Sequence, residues 1–481
     1  MVYYYSMFLV GAVSLHFYKN IKVDDNDERN ILFLGDYHND LTFGNCCKNN
    51  EKVYKRIETM IYSVNFTYKL LYLLDVVTII EDEIKINSEI DSNYLDGIDK
   101  DIEYVLKIDT EHLTVGNILI NSKIKQKIIK LKNKLSNRKF ENILEITNEI
   151  VNYCEHTITE TIMMIKNRKN YDNDTDCILL FDFIYKITEN NNCFDYYYEV
   201  GKANEYISMP SFEYYDYLAI TQLLFHSFKY LKYYEKRYDK TIFNNMYTNL
   251  RFHESDIRLS QNHNVYESYF SYYLPEIKKI HYKYVNDNNL VSYVKSYIID
   301  FIGNILKNKS NDNDNLYQKI YEQYSEKLQN TIKKEQTDKI YKQYSKSIFY
   351  GKNIDKLLSI MLDATQIDLN NKHAWINDIK EFKTEQLHFM VEVTNMNIYT
   401  LFRMFIKKDG WNNEKHNVDN KCSNYTYPKN IMCSLGDYHV IWLKYFVDNY
   451  FNVKPTISKT AYERNNMRCI EISKKIFNFE V

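Results

Sequence analysis

The stretches ILFLGDYH (31–38) and IMCSLGDYH (431–439) each run an apolar segment into the same four residues, Gly-Asp-Tyr-His. A short apolar run stopped by glycine reads as a buried strand with a tight exit, which projects the following histidine just above the strand's carboxyl end. In open α/β sheets that edge is where ligands bind. Two copies at opposite ends of the chain predict an α/β fold. Its central sheet, mainly parallel or mixed, is built from the N- and C-terminal segments and aims His38 and His439 into one polar pocket. The helical pattern VIWLKYFVDNYF follows the second copy at once, so His439 sits at a helix N-terminus.

Downstream of the first copy, apolar residues at 53, 57, 60, 61, 64, 68 and 71 form a helical stripe. VVTII (76–80) is β-branched and reads as a strand ending at Glu81. Strand, helix and strand make a βαβ unit, which brings Glu81 to the same carboxyl edge. Three regions result: 1–99, the N-terminal half of the core; 100–410, a mostly helical insertion; and 411–481, the C-terminal half. The extended segment NLRFHESDIRL (249–259) interrupts the insertion, and its last helix, TNMNIYTLFRMFIKKDG, stops at Gly410. MRCIEIS (467–473) reads as a last strand. Residues 2–18, VYYYSMFLVGAVSLHFY, carry no preceding Lys or Arg and are too short for a membrane span, so they read as a buried strand or hairpin, with membrane contact as the alternative.

Of 481 residues, 45% are apolar and 26% charged, which gives material for a packed core and excludes disorder. The 62 basic residues nearly cancel the 64 acidic ones, so no global field draws nucleic acid and none is expected as a partner. The basic stretch 123–139 reads as a solvated helix face, and the tyrosine clusters at 3–5 and 196–198 as packing. The eight cysteines lack regular spacing, which points to a reducing compartment rather than a disulfide framework. No P-loop, HExxH, GxSxG, paired CxxC or kinase motif occurs.

GDYHND (35–40) resembles the first motif of the superfamily that joins the erythromycin esterases, the ChaN haem-uptake lipoproteins and the TraB/Tiki proteins. That grouping places a Glu after the next strand and, in the TraB/Tiki branch, a second GxxH near the C-terminus; Glu81 and His439 match. The chain is similar in more detail to a group of proteins of giant and other large DNA viruses, on RFHESDIR (251–258), NIYTLFR (397–403), LGDYHVIWLKYF (435–446) and RCIEIS (468–473). Two positions depart from these patterns: Asp36 stands where the esterase and ChaN branches carry Glu, and Asn397 replaces an acid.

The resemblance implies a hydrolase-like protein of host cytoplasm or virion acting on a small-molecule or peptide substrate. In its TraB/Tiki-like version His38, His439 and Glu81 hold a divalent metal ion and leave a position for water. In its esterase-like version one histidine is a general base on water, oriented by Glu81 or Asp36. Arg258 or Arg403 would stabilise an oxyanion or clamp an acidic substrate. Tyr37, His253, Asp256, Asp437 and Tyr438 are the candidates for the surrounding shell. The rival readings are an inactive viral structural or host-interaction protein that keeps the pocket, and a haem- or metal-binding module without turnover.

Overall fold

The computed structural model describes residues 6–36, 70, 73, 74, 77, 80, 81, 122–137, 142–167, 177–188, 193–199, 250–255, 257, 295–307, 318, 319, 321–323, 334–370, 383–407, 429–461, 469–473 and 476. In chain order its elements are β1 (Ser6–Val10), β2 (Ser14–Asp24), β3 (Asp27–Asp36), α1 (Ser122–Ser136), α2 (Ile143–Asn167), β4 (Cys177–Leu179), α3 (Leu180–Thr188), β5 (Phe194–Tyr198) and β6 (Leu250–Glu254). A π-helical turn (Tyr297–Ile302) follows and runs into α4 (Gly303–Lys307). Then come α5 (Lys334–Lys346), α6 (Ile354–Asn370), α7 (Lys383–Met404), β7 (Asn430–Gly436), α8 (Asp437–Tyr450), β8 (Ile457–Thr460) and β9 (Cys469–Ser473). The protein is mixed α/β. It divides into two compact units: residues 1–47, 176–204 and 247–481 form one, and residues 48–175 and 205–246 the other.

The first unit holds two sheets. The larger has the order β6-β5-β7-β3-β2-β8, the smaller β4-β1-β9. In the larger, β6, β5, β7 and β3 run parallel to their neighbours, while β2 and β8 add on antiparallel. The strands that carry the two Gly-Asp pairs are therefore neighbours. Their register is offset by one residue: Gly35 lies opposite Leu435, and Asp36 opposite Gly436. Side chains alternate across a strand, so Asp195 and Tyr197 share one face with Arg251, His253, Ile431, Cys433, Ile31 and Phe33. Tyr197, Phe33, Ile31, Ile431 and Cys433 join one apolar core with α7 and α8.

Helix α7 lies deep in that core. Residues 393–402 are buried on every face of the helix, which is why its polar side chains are pinned to different neighbours. Its C-terminal carbonyls, which have no partner within the helix, are met by the fully buried Arg29. The guanidinium donates to Met404 O at 2.6 Å and Ile406 O at 2.8 Å while it pairs with Asp27 at 2.5 Å. The helix accordingly ends at Met404, six residues before the expected stop at Gly410.

Two further expectations are corrected. Of VVTII, Val77 and Ile80 are helical, as is Glu81, and with Leu70, Leu73 and Leu74 they form one buried stripe. The three- and four-residue spacing over several turns outweighs the β-branched composition, and the βαβ unit built on this segment falls. Nor is the middle of the chain helical apart from one extended segment, since it supplies β4, β5 and β6, two of which are strands of the larger sheet. Residues 2–18 contribute β1 and β2, which belong to different sheets rather than one hairpin. Among the described residues no helix is long and apolar enough to cross a membrane. Cys177 and Cys193 are disulfide-bonded, and Cys154 and Cys433 carry free buried thiols. The irregular spacing of the cysteines gave no sign of that bonding.

The second unit contributes α1, packed on α2, with Ile128, Leu131 and Leu135 of α1 buried. Lys130 on the other side of α1 is exposed.

Candidate functional site

Strand β7 passes into α8 without a loop. Gly436 has φ −51° and ψ 142°, extended geometry open to any residue, so conformational freedom is not why glycine stands there. Its N–H, left without a partner by the start of the helix, donates to Glu199 Oε2 at 2.9 Å. Glu199 follows the last residue of β5, the strand beside β7, and its own N–H reaches Ser434 O at 3.4 Å. The carboxylate is thus held at the sheet's carboxyl edge, one strand away from the start of α8.

His439 lies in the first turn of α8 and is 4% exposed. Its Nδ1 faces Asn397 Oδ1 of α7 at 2.6 Å, and its Nε2 faces Glu199 Oε1 at 3.6 Å. An amide oxygen can only accept, so Nδ1 is the donor. The 3.6 Å gap exceeds a hydrogen bond, so a proton, a water hydrogen or a cation placed there would join the two groups.

On the other side of β7's end, Asp437 turns toward β2 and β3. Ser14 Oγ donates to its Oδ1, while Oδ2 is buried and hydrogen-bonds nothing among the described residues. Burial pushes this carboxyl up to about 6, with the Ser14 hydrogen bond opposing. Gly35 lies directly beneath: a Cβ there would collide with both Ser14 Oγ and Asp437 Oδ1. Glycine is required at 35 for close approach, not for the tight exit the motif suggests.

A second polar cluster occupies the same face of β5, toward its amino end. Asp195 receives Arg251 Nη2 and His253 Nε2, each at 2.6 Å. His253 Nδ1 accepts from Arg403 Nη2 at 3.2 Å, Arg403 Nη1 donates to Tyr399 Oη at 3.0 Å, and Tyr197 stacks on the imidazole at 4.7 Å. Burial lowers His253 to about 4, opposed by its hydrogen bond to Asp195. Arg251 and His253 hold the Asp195 carboxyl below its usual range despite its burial.

No protein-family model matches the chain, and no curated protein or solved structure matches it.

Of the residues expected at the site, His439 and Asp437 are at the carboxyl edge, and Tyr438 between them is half-buried. Asp36 ends β3 opposite Gly436. His253 and Arg403 meet in the second cluster. Glu81 is a buried helical residue of the other compact unit rather than the end of a strand beside β3. Tyr37, His38, Asp256 and Arg258 lie outside the described residues. Among the described residues no three His, Cys, Asp or Glu side chains are grouped to hold a metal.

Sequence reasoning missed Glu199, Asp195 and Ser14. A signal existed for the first two: in FDYYYE (194–199) acids recur four residues apart, which on a strand puts both on one face with Tyr197 between them.

Proposed function

We propose that the carboxyl edge of β5, β7 and β3 is a hydrolytic centre in which His439 and Glu199 are the acting pair. The observation that carries this reading is the set of contacts around His439. One ring nitrogen is tied to Asn397, and the other is turned to a buried carboxylate at 3.6 Å, beyond bonding distance. An imidazole oriented through Nδ1 and open at Nε2 can take a proton from water, and the carboxylate beside it stabilises the imidazolium that results. Glu199 takes the part that the resemblance implies for Glu81. The substrate class is an ester or amide.

The same two atoms fit a divalent ion. Ligand bonds of about 2.1 Å to a tetrahedral centre set two donors roughly 3.4 Å apart, close to the separation seen, and an Nδ1–H given to an oxygen acceptor is the usual support of a metal-bound imidazole. His439 and Glu199 would hold the ion, which would supply an acidified water. This chain's residues otherwise act alike in both versions: Asn397 orients His439, and Glu199 holds its carboxylate against Gly436 N–H.

The test is an assay of the purified full chain against generic aryl esters and fluorogenic peptides, with and without chelator, beside the Glu199→Gln variant. Hydrolysis that falls about 10²- to 10⁴-fold in the variant supports the reading. Its absence from the wild type, or its persistence in Glu199→Gln, overturns it. Sensitivity to chelator selects the metal version.

A further inference from the structure

We propose that Asn397 is the positioning residue of this centre: it fixes His439 as the Nδ1–H tautomer and so leaves Nε2 as the acting nitrogen. This rests on the hydrolytic reading above. A neutral imidazole has one N–H and here meets two acceptors, Asn397 Oδ1 at 2.6 Å and Glu199 Oε1 at 3.6 Å. Only the first is within hydrogen-bond reach, so it takes the proton. Were Asn397 absent, the same N–H would turn to Glu199 through Nε2, and the nitrogen facing the carboxylate would no longer be able to accept.

Asn397 can do this because α7 is tied to its neighbours on both sides of it. Two residues earlier Asn395 donates to Gln336 Oε1 at 2.9 Å and accepts from Tyr297 Oη. Six residues later, about 9 Å along the helix, Arg403 reaches His253 and Tyr399. Beyond that, Arg29 closes the carbonyl end. The second polar cluster is thus one of three anchors that hold Asn397 at its register. Its amide supplies an acceptor without a charge. An aspartate there would place a second carboxylate beside Glu199 in a site with little water, at a cost an asparagine does not incur.

The experiment is long-range proton–nitrogen correlation NMR on the full chain labelled with 15N-histidine, with the His439 signals identified by their loss in His439→Gln. The expected result is the Nδ1–H pattern for His439 in the wild type and in Asn397→Asp, which keeps the acceptor, and the Nε2–H pattern in Asn397→Ala. An Nε2–H pattern in the wild type, or an unchanged pattern in Asn397→Ala, overturns the assignment. Should Asn397→Ala fail to fold, the wild-type and Asn397→Asp spectra still decide it, because Nε2–H in either is contrary. For hydrolysis, Asn397→Ala is expected to lower kcat about 10- to 100-fold with KM unchanged, and Asn397→Asp to recover part of the loss. The Nδ1–H pattern in a protein that hydrolyses nothing removes the hydrolytic reading and keeps this tautomer. Hydrolysis undiminished in Asn397→Ala removes the positioning role and keeps the hydrolytic reading.

Discussion

His253 and His439 are both buried, both lie against β5 and α7, and each meets an acid, Asp195 of β5 for the first and Glu199 just after that strand for the second, yet their surroundings differ. His253 has a partner on each nitrogen, Asp195 at 2.6 Å and Arg403 at 3.2 Å, and an aromatic ring over its face. Among the described residues His439 has a hydrogen-bond partner on one nitrogen only, and the acid facing the other stands off at 3.6 Å. A histidine with both nitrogens committed has nothing left to offer a substrate and acts as a strut. One with a committed nitrogen and an open one is oriented and still able to exchange a proton.

Breaking the strut should have the largest effect. Asp195→Ala would leave Arg251 and His253 buried without their shared carboxylate, and a loss of about 3–5 kcal/mol is expected, read from the urea midpoint at unchanged slope. Next comes acid. Native His253 stays neutral down to about 4, whereas in the unfolded chain it charges below its ordinary value of 6.5. The unfolded state therefore binds a proton that the native state refuses, and stability falls as pH drops from 6.5 toward 4. The ceiling on this loss is roughly 3 kcal/mol. His16, also lowered to about 4, behaves alike, so His253→Gln should remove only part of the slope between those pH values. An unaltered slope would contradict the strut.

Asp437 should give a smaller effect of opposite sign. Its carboxyl is raised from 3.8 to about 6, so the unfolded chain ionises first, and stability is lost as pH rises from about 4 through 6. Asp437→Asn should stabilise the protein by about 1–2 kcal/mol at pH 8, since the new amide offsets part of the gain, and should give no benefit at pH 4. Urea unfolding at the two pH values reads the difference, and an equal effect at both would refute the shift. Least of all, Glu199→Gln keeps an acceptor for Gly436 N–H and should change stability by under about 1 kcal/mol. A loss as large as that of Asp195→Ala would make Glu199 a strut as well.

Much of the fold was legible where apolar runs met clear punctuation. β3, β7 and α8 are read from ILFLG, NIMCSLG and the helix that follows, β6 from NLRFHESDIRL and β9 from MRCIEIS. Where the signal was weak, it failed for identifiable reasons. β5 is buried on both faces and written in tyrosines, so its alternation shows only in the two acids. β8, ISKT, is a polar outermost strand of the larger sheet with little apolar period to find. VVTII has strand composition on a helical stripe.

For the site, Asn397, noted only as a departure from the family pattern, meets His439, and Arg403 meets His253. What no local pattern carries is which histidine ends with a free nitrogen. That depends on Asp195 and Glu199 lying four residues apart on a strand that pairs with both β6 and β7. Ser14, brought to Asp437 from 423 residues away, was likewise beyond any local reading.

The most direct measurement is to make His253→Gln and His439→Gln in the full chain and determine, for each, the free energy of unfolding and the rate of ester and peptide hydrolysis. A crossed result is expected: His253→Gln loses stability but retains most of its rate wherever it is folded, because the Asn395 and Arg29 anchors of α7 remain, and His439→Gln keeps its stability and loses its rate. Equal loss of rate in both, or full hydrolysis by His439→Gln, would contradict it.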